Sequence, residues 1–134
     1  MLYRVSMITP SEVALVSCGG ALGATLRFIL TRSTDVIFPA VRFPIATLAV
    51  NILGCFALGC VAEISARGAI SPNVRLLFAT GILGGFTTFS AFGVETISLL
   101  RAGHTVMALN YIAASVIGGC IATYVGILAV TPQS

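Results

Sequence analysis

Phe89 and Phe92 stand three residues apart, so on a helix they project from the same side. Ser90 lies between them and Glu95 three residues beyond; Gly84-Gly85 and Thr87-Thr88 come directly before. An aromatic ring carries a negative face and a positive edge, so ring edges turned inward favour an anion. Aromatic pairs at helical spacing usually pack a core. This pair instead follows glycines and paired hydroxyls within an apolar stretch, a composition that predicts a helix broken at membrane depth. Such a break is tolerated where other protein buries it or where it lines a polar cavity. A carboxylate inside a span is a functional candidate by default. Ionised Glu95 beside an anion path would repel the ion, so a regulatory or hydrogen-bonding role suits it better than coordination.

Other polar groups fall at comparable depth. Thr47, Asn51 and Cys55 follow one another at four-residue steps and share a face. An asparagine amide in hydrocarbon is costly without partners, so Asn51 either bonds a neighbouring helix or contacts a permeating species. Asn110 and Tyr111 lie above Ser115, and Tyr111, Ser115 and Gly119 share a face, either as a polar track or as glue between helices. Arg27 either snorkels to the interface or supplies a cation at a pore vestibule. His104 reads as a solvated turn residue. The cysteines Cys18, Cys55, Cys60 and Cys120 show no metal spacing and read as small apolar packing residues.

The elements that position these residues follow from composition. The chain of 134 residues is 57% hydrophobic and 8% charged, with a mean hydropathy of +1.07. Soluble domains carry about 25% charged residues, so this chain cannot cover a water-facing surface. A helix needs roughly 20 apolar residues to cross a bilayer, and four such spans use up the chain. They are expected at about 11–30, 43–64, 74–100 and 105–130, as one all-α membrane domain with the break in the third. Thr9-Pro10-Ser11-Glu12 supplies start signals for the first. That apolar run continues past its small residues, so it reads as a retained helix and not as a cleaved signal. The formal charge of +3 is spread without runs, which leaves nucleic acid no electrostatic basis.

Arginine placement bears on assembly. With the N-terminus on one side, that side collects Arg4, Arg67 and Arg75; the other collects Arg32, Arg42 and Arg101, with Arg27 near the end of the first span. A near tie gives the positive-inside rule little to act on. It permits both orientations and thus an antiparallel homodimer, which also supplies the second half that a chain without internal repeats lacks. Gly19 and Gly23, Gly81 and Gly85, and the Gly118, Ala122, Gly126 ladder are spaced for close helix packing.

Four stretches in order, Gly19-Gly-Ala-Leu-Gly-Ala-Thr-Leu-Arg27, Thr47-Leu-Ala-Val-Asn-Ile-Leu-Gly54, Gly84-Gly-Phe-Thr-Thr-Phe-Ser-Ala-Phe92 with Glu95, and Asn110-Tyr111 with Ser115, resemble the Fluc/CrcB family of fluoride channels. The resemblance covers nearly all of the chain. It implies a passive fluoride-selective channel in a bacterial-type plasma (inner) membrane, multi-pass, formed by a dual-topology antiparallel homodimer. By that resemblance Phe89 and Phe92 turn ring edges to fluoride and Asn51 donates its amide. Ser90, Tyr111 and Ser115 belong to the polar lining, and Glu95 and Arg27 act near pore ends. It further implies a structural sodium ion at the dimer axis, held by backbone carbonyls of Gly84 and Thr87. Ala91 departs from the family pattern, which places threonine there and so supplies one more hydroxyl. The alternative is a small dual-topology multidrug or cation exporter, which needs an essential mid-membrane carboxylate; Glu95 is the available one. An enzyme is not expected, because one histidine in a turn provides no catalytic dyad.

Overall fold

The computed structural model describes residues 7–132, so Arg4 and the tail residues Gln133 and Ser134 lie outside the described residues. Among the described residues the fold is all-helical: α1 (Pro10–Ile37), α2 (Ile45–Ala66), α3 (Pro72–Arg75), a π-helical stretch (Leu76–Leu83), α4 (Gly84–Phe86), α5 (Phe89–Arg101) and α6 (Thr105–Val130). Among the described residues, four segments are long and apolar enough to cross a membrane: α1, α2, the composite Pro72–Arg101 and α6.

Local chemistry sets the ends. Thr9 caps α1 by accepting from the Glu12 N–H at 3.3 Å, while the Glu12 carboxylate accepts from the Thr9 N–H at 2.8 Å, a reciprocal capping box. The apolar run of 11–30 underestimates this helix, which continues to Ile37. Its polar extension stays helical because Thr31 donates back to the carbonyl of Arg27 at 3.0 Å and Thr34 to that of Leu30 at 2.8 Å, so these hydroxyls need no water. Pro39 follows the helix end. The tight turn between α5 and α6 places Gly103 at φ 79°, a conformation glycine adopts without steric cost.

Most large apolar side chains face outward, as they do where lipid is the solvent; Val50, Leu99, Ala108 and Tyr111 form the buried apolar set. In lipid, helices associate through close packing and not through hydrophobic burial. Glycines provide that packing at two seams. Between α1 and the third span, a Cβ on Gly19 would stand 2.8 Å from the Leu77 carbonyl oxygen, and one on Gly85 2.5 Å from that of Gly20. A Cβ on Gly23 would collide with the Ile82 carbonyl. Between α2 and α6, Gly59 sits against the backbone of Thr123 and Gly126 against that of Phe56. The spacings noted for Gly19, Gly23, Gly81 and Gly85 therefore belong to one interlocked seam.

Within the third span the turns widen before Gly84, whose N–H reaches back five residues to Ala79 O. Backbone then leaves helical geometry at Thr87 (φ −77°, ψ 156°) and Thr88 (φ −148°, ψ 117°) before α5 begins.

Candidate functional site

The extended pair Thr87-Thr88 would expose peptide groups at membrane depth unless something bonds them. Asn51 does so from α2. Its Nδ2 donates to the Thr88 carbonyl at 3.0 Å, and its Oδ1 accepts from the Thr88 N–H at 2.8 Å. The two bonds clamp one peptide unit with one side chain. Thr88 in turn caps α5, its hydroxyl accepting from the Ala91 N–H at 3.2 Å. The N–H groups that would close helical turns onto the carbonyls of Gly84 and Thr87 are thus given to side-chain oxygens instead.

A groove of about 640 Å³ runs beside this clamp, lined by Asn51 and Cys55 of α2, Thr87 and Thr88, Phe89 and Phe92 of α5, and Ser115, Gly119, Cys120 and Thr123 of α6. No residue lining it carries a charge. Phe89 is 83% exposed in the single protomer. The Phe89 and Phe92 rings lie 5.4 Å apart between centroids, tilted by 40°. The Ser115 hydroxyl is buried without a hydrogen-bond partner among the described residues, a costly state for a hydroxyl in an apolar surrounding.

Beyond Phe92 the polar groups continue. Its ring lies 5.2 Å from that of Tyr111, which is fully buried and meets Phe43 edge-on at 5.6 Å. The Tyr111 hydroxyl donates to Glu95 Oε2 at 2.7 Å and Thr47 donates to Glu95 Oε1 at 2.6 Å. Both carboxylate oxygens are therefore occupied as acceptors. Glu95 also borders a smaller cavity of about 220 Å³, together with Asp35 and Arg42.

The expected residues thus divide. Asn51, Phe89, Phe92 and Ser115 share the groove with Thr87. Tyr111 and Glu95 form the next station along. Ser90 is exposed and pairs with the Thr88 hydroxyl at 3.2 Å, outside the groove lining. Arg27 stands well inside α1 and not at its end; its Nε donates to the Gly85 carbonyl at 3.1 Å. Asn110 lines a separate pocket with Phe43 and His104. His104, expected to be solvated, contacts Arg42 Nη1 through Nε2 at 3.0 Å. Thr47 and Phe43 were not among the candidates. Thr47 was signalled by its four-residue spacing from Asn51; nothing in the sequence signalled Phe43.

This architecture defines the class: a multi-pass helical membrane protein with an uncharged, mostly apolar groove that carries a few polar groups beside extended backbone. The family profile described as CrcB-like protein, Camphor Resistance (CrcB), matches residues 14–127, and the chain belongs to that family. A protein of Rhizobium etli (strain CIAT 652) named fluoride-specific ion channel FluC is 49% identical over 107 residues, covering 78% of this chain and 84% of its own. One of the same name from Methylobacillus flagellatus is 44% identical over 116 residues, covering 86% and 91%. Another, from Chlorobium luteolum, is 40% identical over 131 residues, covering 97% and 100%.

Proposed function

We propose that this protein is a passive fluoride channel that releases fluoride from the cytoplasm and relieves its toxicity. It works as two oppositely inserted copies in a bacterial plasma membrane, each with a third span broken at Thr87-Thr88. The observation that carries the reading is the convergence, in one uncharged groove, of the Phe89 and Phe92 rings, the Asn51 amide and the unpartnered Ser115 hydroxyl.

Moving a carboxylate-sized ion into a low-dielectric medium costs on the order of 20 kcal/mol by an idealised Born estimate, and bare fluoride, being smaller, costs more. A pathway must replace lost water with donors yet hold the ion weakly enough to release it. An amide carries two N–H donors; Asn51 gives one to Thr88 and has the second for the ion. Ser115 offers its hydroxyl hydrogen and the phenyl rings their positive edges. No fixed cation in the groove traps the anion. Past Phe92, the Tyr111 and Thr47 hydroxyls are engaged by Glu95, so a passing ion competes with that carboxylate for their hydrogens, and Glu95 tunes passage without binding fluoride. Hydrogen fluoride crosses membranes as a neutral acid and dissociates inside. An interior-negative potential then drives the anion out with about 2.3 kcal/mol per 100 mV.

The Gly84 and Thr87 carbonyls, relieved of their helical donors, suit a hard cation, for which oxygen ligands are the natural set. A sodium ion held there would supply positive charge between two third spans. An exporter reading requires a carboxylate free to exchange proton and cargo, whereas both Glu95 oxygens are engaged.

Vesicles containing the purified protein, loaded with fluoride or chloride and read with ion-selective electrodes under a potassium diffusion potential, are expected to release fluoride and retain chloride. Absence of fluoride release, or equal release of both, overturns the reading. C-terminal reporter fusions are expected on both faces of the membrane; a single face overturns the antiparallel pair.

A further inference from the structure

Two groups in the groove are not needed for fluoride passage. Cys55 of α2 and Cys120 of α6 line it together with Asn51 and Phe92. Cys55 lies one helical turn beyond Asn51 on the same face. Its sulfur is 3.4 Å from where a Cβ would sit on Gly119, so the glycine leaves room beside the thiol. The other two cysteines are placed differently. Cys60 donates its thiol to the Gly126 carbonyl at 3.2 Å, and Cys18 is exposed on α1; neither lines the groove. The Ser115 hydroxyl, which has no hydrogen-bond partner among the described residues, lies on the same wall.

We propose that the groove is also a binding site for soft thiophilic cations, with Cys55 as the principal ligand and Cys120 as the second, and that their binding blocks ion flux. Thiolate sulfur is the protein ligand that prefers such metals. With methylmercury chloride, a sulfur–mercury bond forms while the S–H and Hg–Cl bonds break; a proton and a chloride ion leave, and no oxidant is needed. Methylmercury chloride is neutral and small, so it reaches a thiol at membrane depth. An organomercury group one turn from Asn51 occupies the space the anion would cross. The block of flux rests on the groove being the fluoride pathway; the metal site itself does not.

The test is fluoride efflux from vesicles before and after methylmercury chloride, each variant normalised to its own rate before the reagent. Wild-type efflux is expected to fall about tenfold or more, as obstruction of a narrow selective path requires, and to recover with excess dithiothreitol. C55S is expected to lose most of the block, C120S a smaller share, and the C18S/C60S double variant none. Unchanged wild-type efflux, or full block in C55S/C120S, overturns the proposal. Peptide mapping by mass is read in parallel. Were vesicles to release no fluoride even before reagent, the channel reading would fail while the adduct map still decided the site. Adducts at Cys55 and Cys120 ahead of Cys18 uphold it, and adducts at Cys18 alone overturn it.

Discussion

The two halves of the third span are built on opposite plans. From Leu76 to Phe86 the chain is pressed backbone to backbone against α1, with Gly81 and Gly85 facing Gly19 and Gly20 and Arg27 bonded across the seam. From Phe89 to Arg101 it carries the aromatic pair and Glu95, and leaves Phe89 almost fully exposed in the protomer. The join is the Thr87-Thr88 pair, held by Asn51 from a third element. The first half is scaffold and the second is lining, and the clamp at the join lets one chain segment do both.

That contrast predicts a graded series, from the largest loss of folded protein to the smallest. Gly23→Leu places a side chain where the Ile82 carbonyl already stands. Overpacking of this kind costs about 1–3 kcal/mol or more, and size-exclusion chromatography after detergent extraction should show little monodisperse protein. A normal profile would mean the seam is looser than the close approach implies. Asn51→Leu leaves the Thr88 N–H and carbonyl without partners, at about 1–3 kcal/mol for each buried group left unsatisfied. Its thermal unfolding midpoint should fall and its fluoride flux with it; an unchanged midpoint would remove the clamp from the description. Tyr111→Phe deletes a 2.7 Å bond to the Glu95 carboxylate. Hydrogen bonds to charged groups contribute about 1.5–3 kcal/mol, with the lower end expected here because Glu95 is not fully buried. A modest fall in midpoint with altered flux is the expected pair of readings. Phe89→Ile should leave the midpoint within error, since the ring is 83% exposed, yet cut fluoride flux sharply. A large drop in midpoint would assign that ring to packing and blur the division between the halves.

Hydropathy alone made four spans legible, because each is a long apolar run bounded by Pro, Gly or Arg. Spacing was enough to see that Thr47, Asn51 and Cys55 share a face and that the glycines of the first and third spans are contact residues. What those faces meet was not legible. Asn51 finds its partner 37 residues away in a peptide group, which has no side-chain signature. The extension of α1 to Ile37 was hidden because Thr31, Ser33, Thr34 and Asp35 look like loop residues, whereas Thr31 and Thr34 bond back onto their own helix. The π-helical turns over Leu76–Leu83 likewise had no sequence signal. The same extension of α1 moves Arg27 from the expected end of the helix to well inside it.

The most direct test is a structure of the assembled protein determined in fluoride, with a matched chloride data set. The arrangement described here predicts fluoride density in the groove between the Phe89 and Phe92 ring edges, within hydrogen-bonding reach of Asn51 Nδ2 and Ser115 Oγ, and no such density in chloride. Both rings turned to lipid, with the groove closed by packed side chains and no anion beside them, would contradict it.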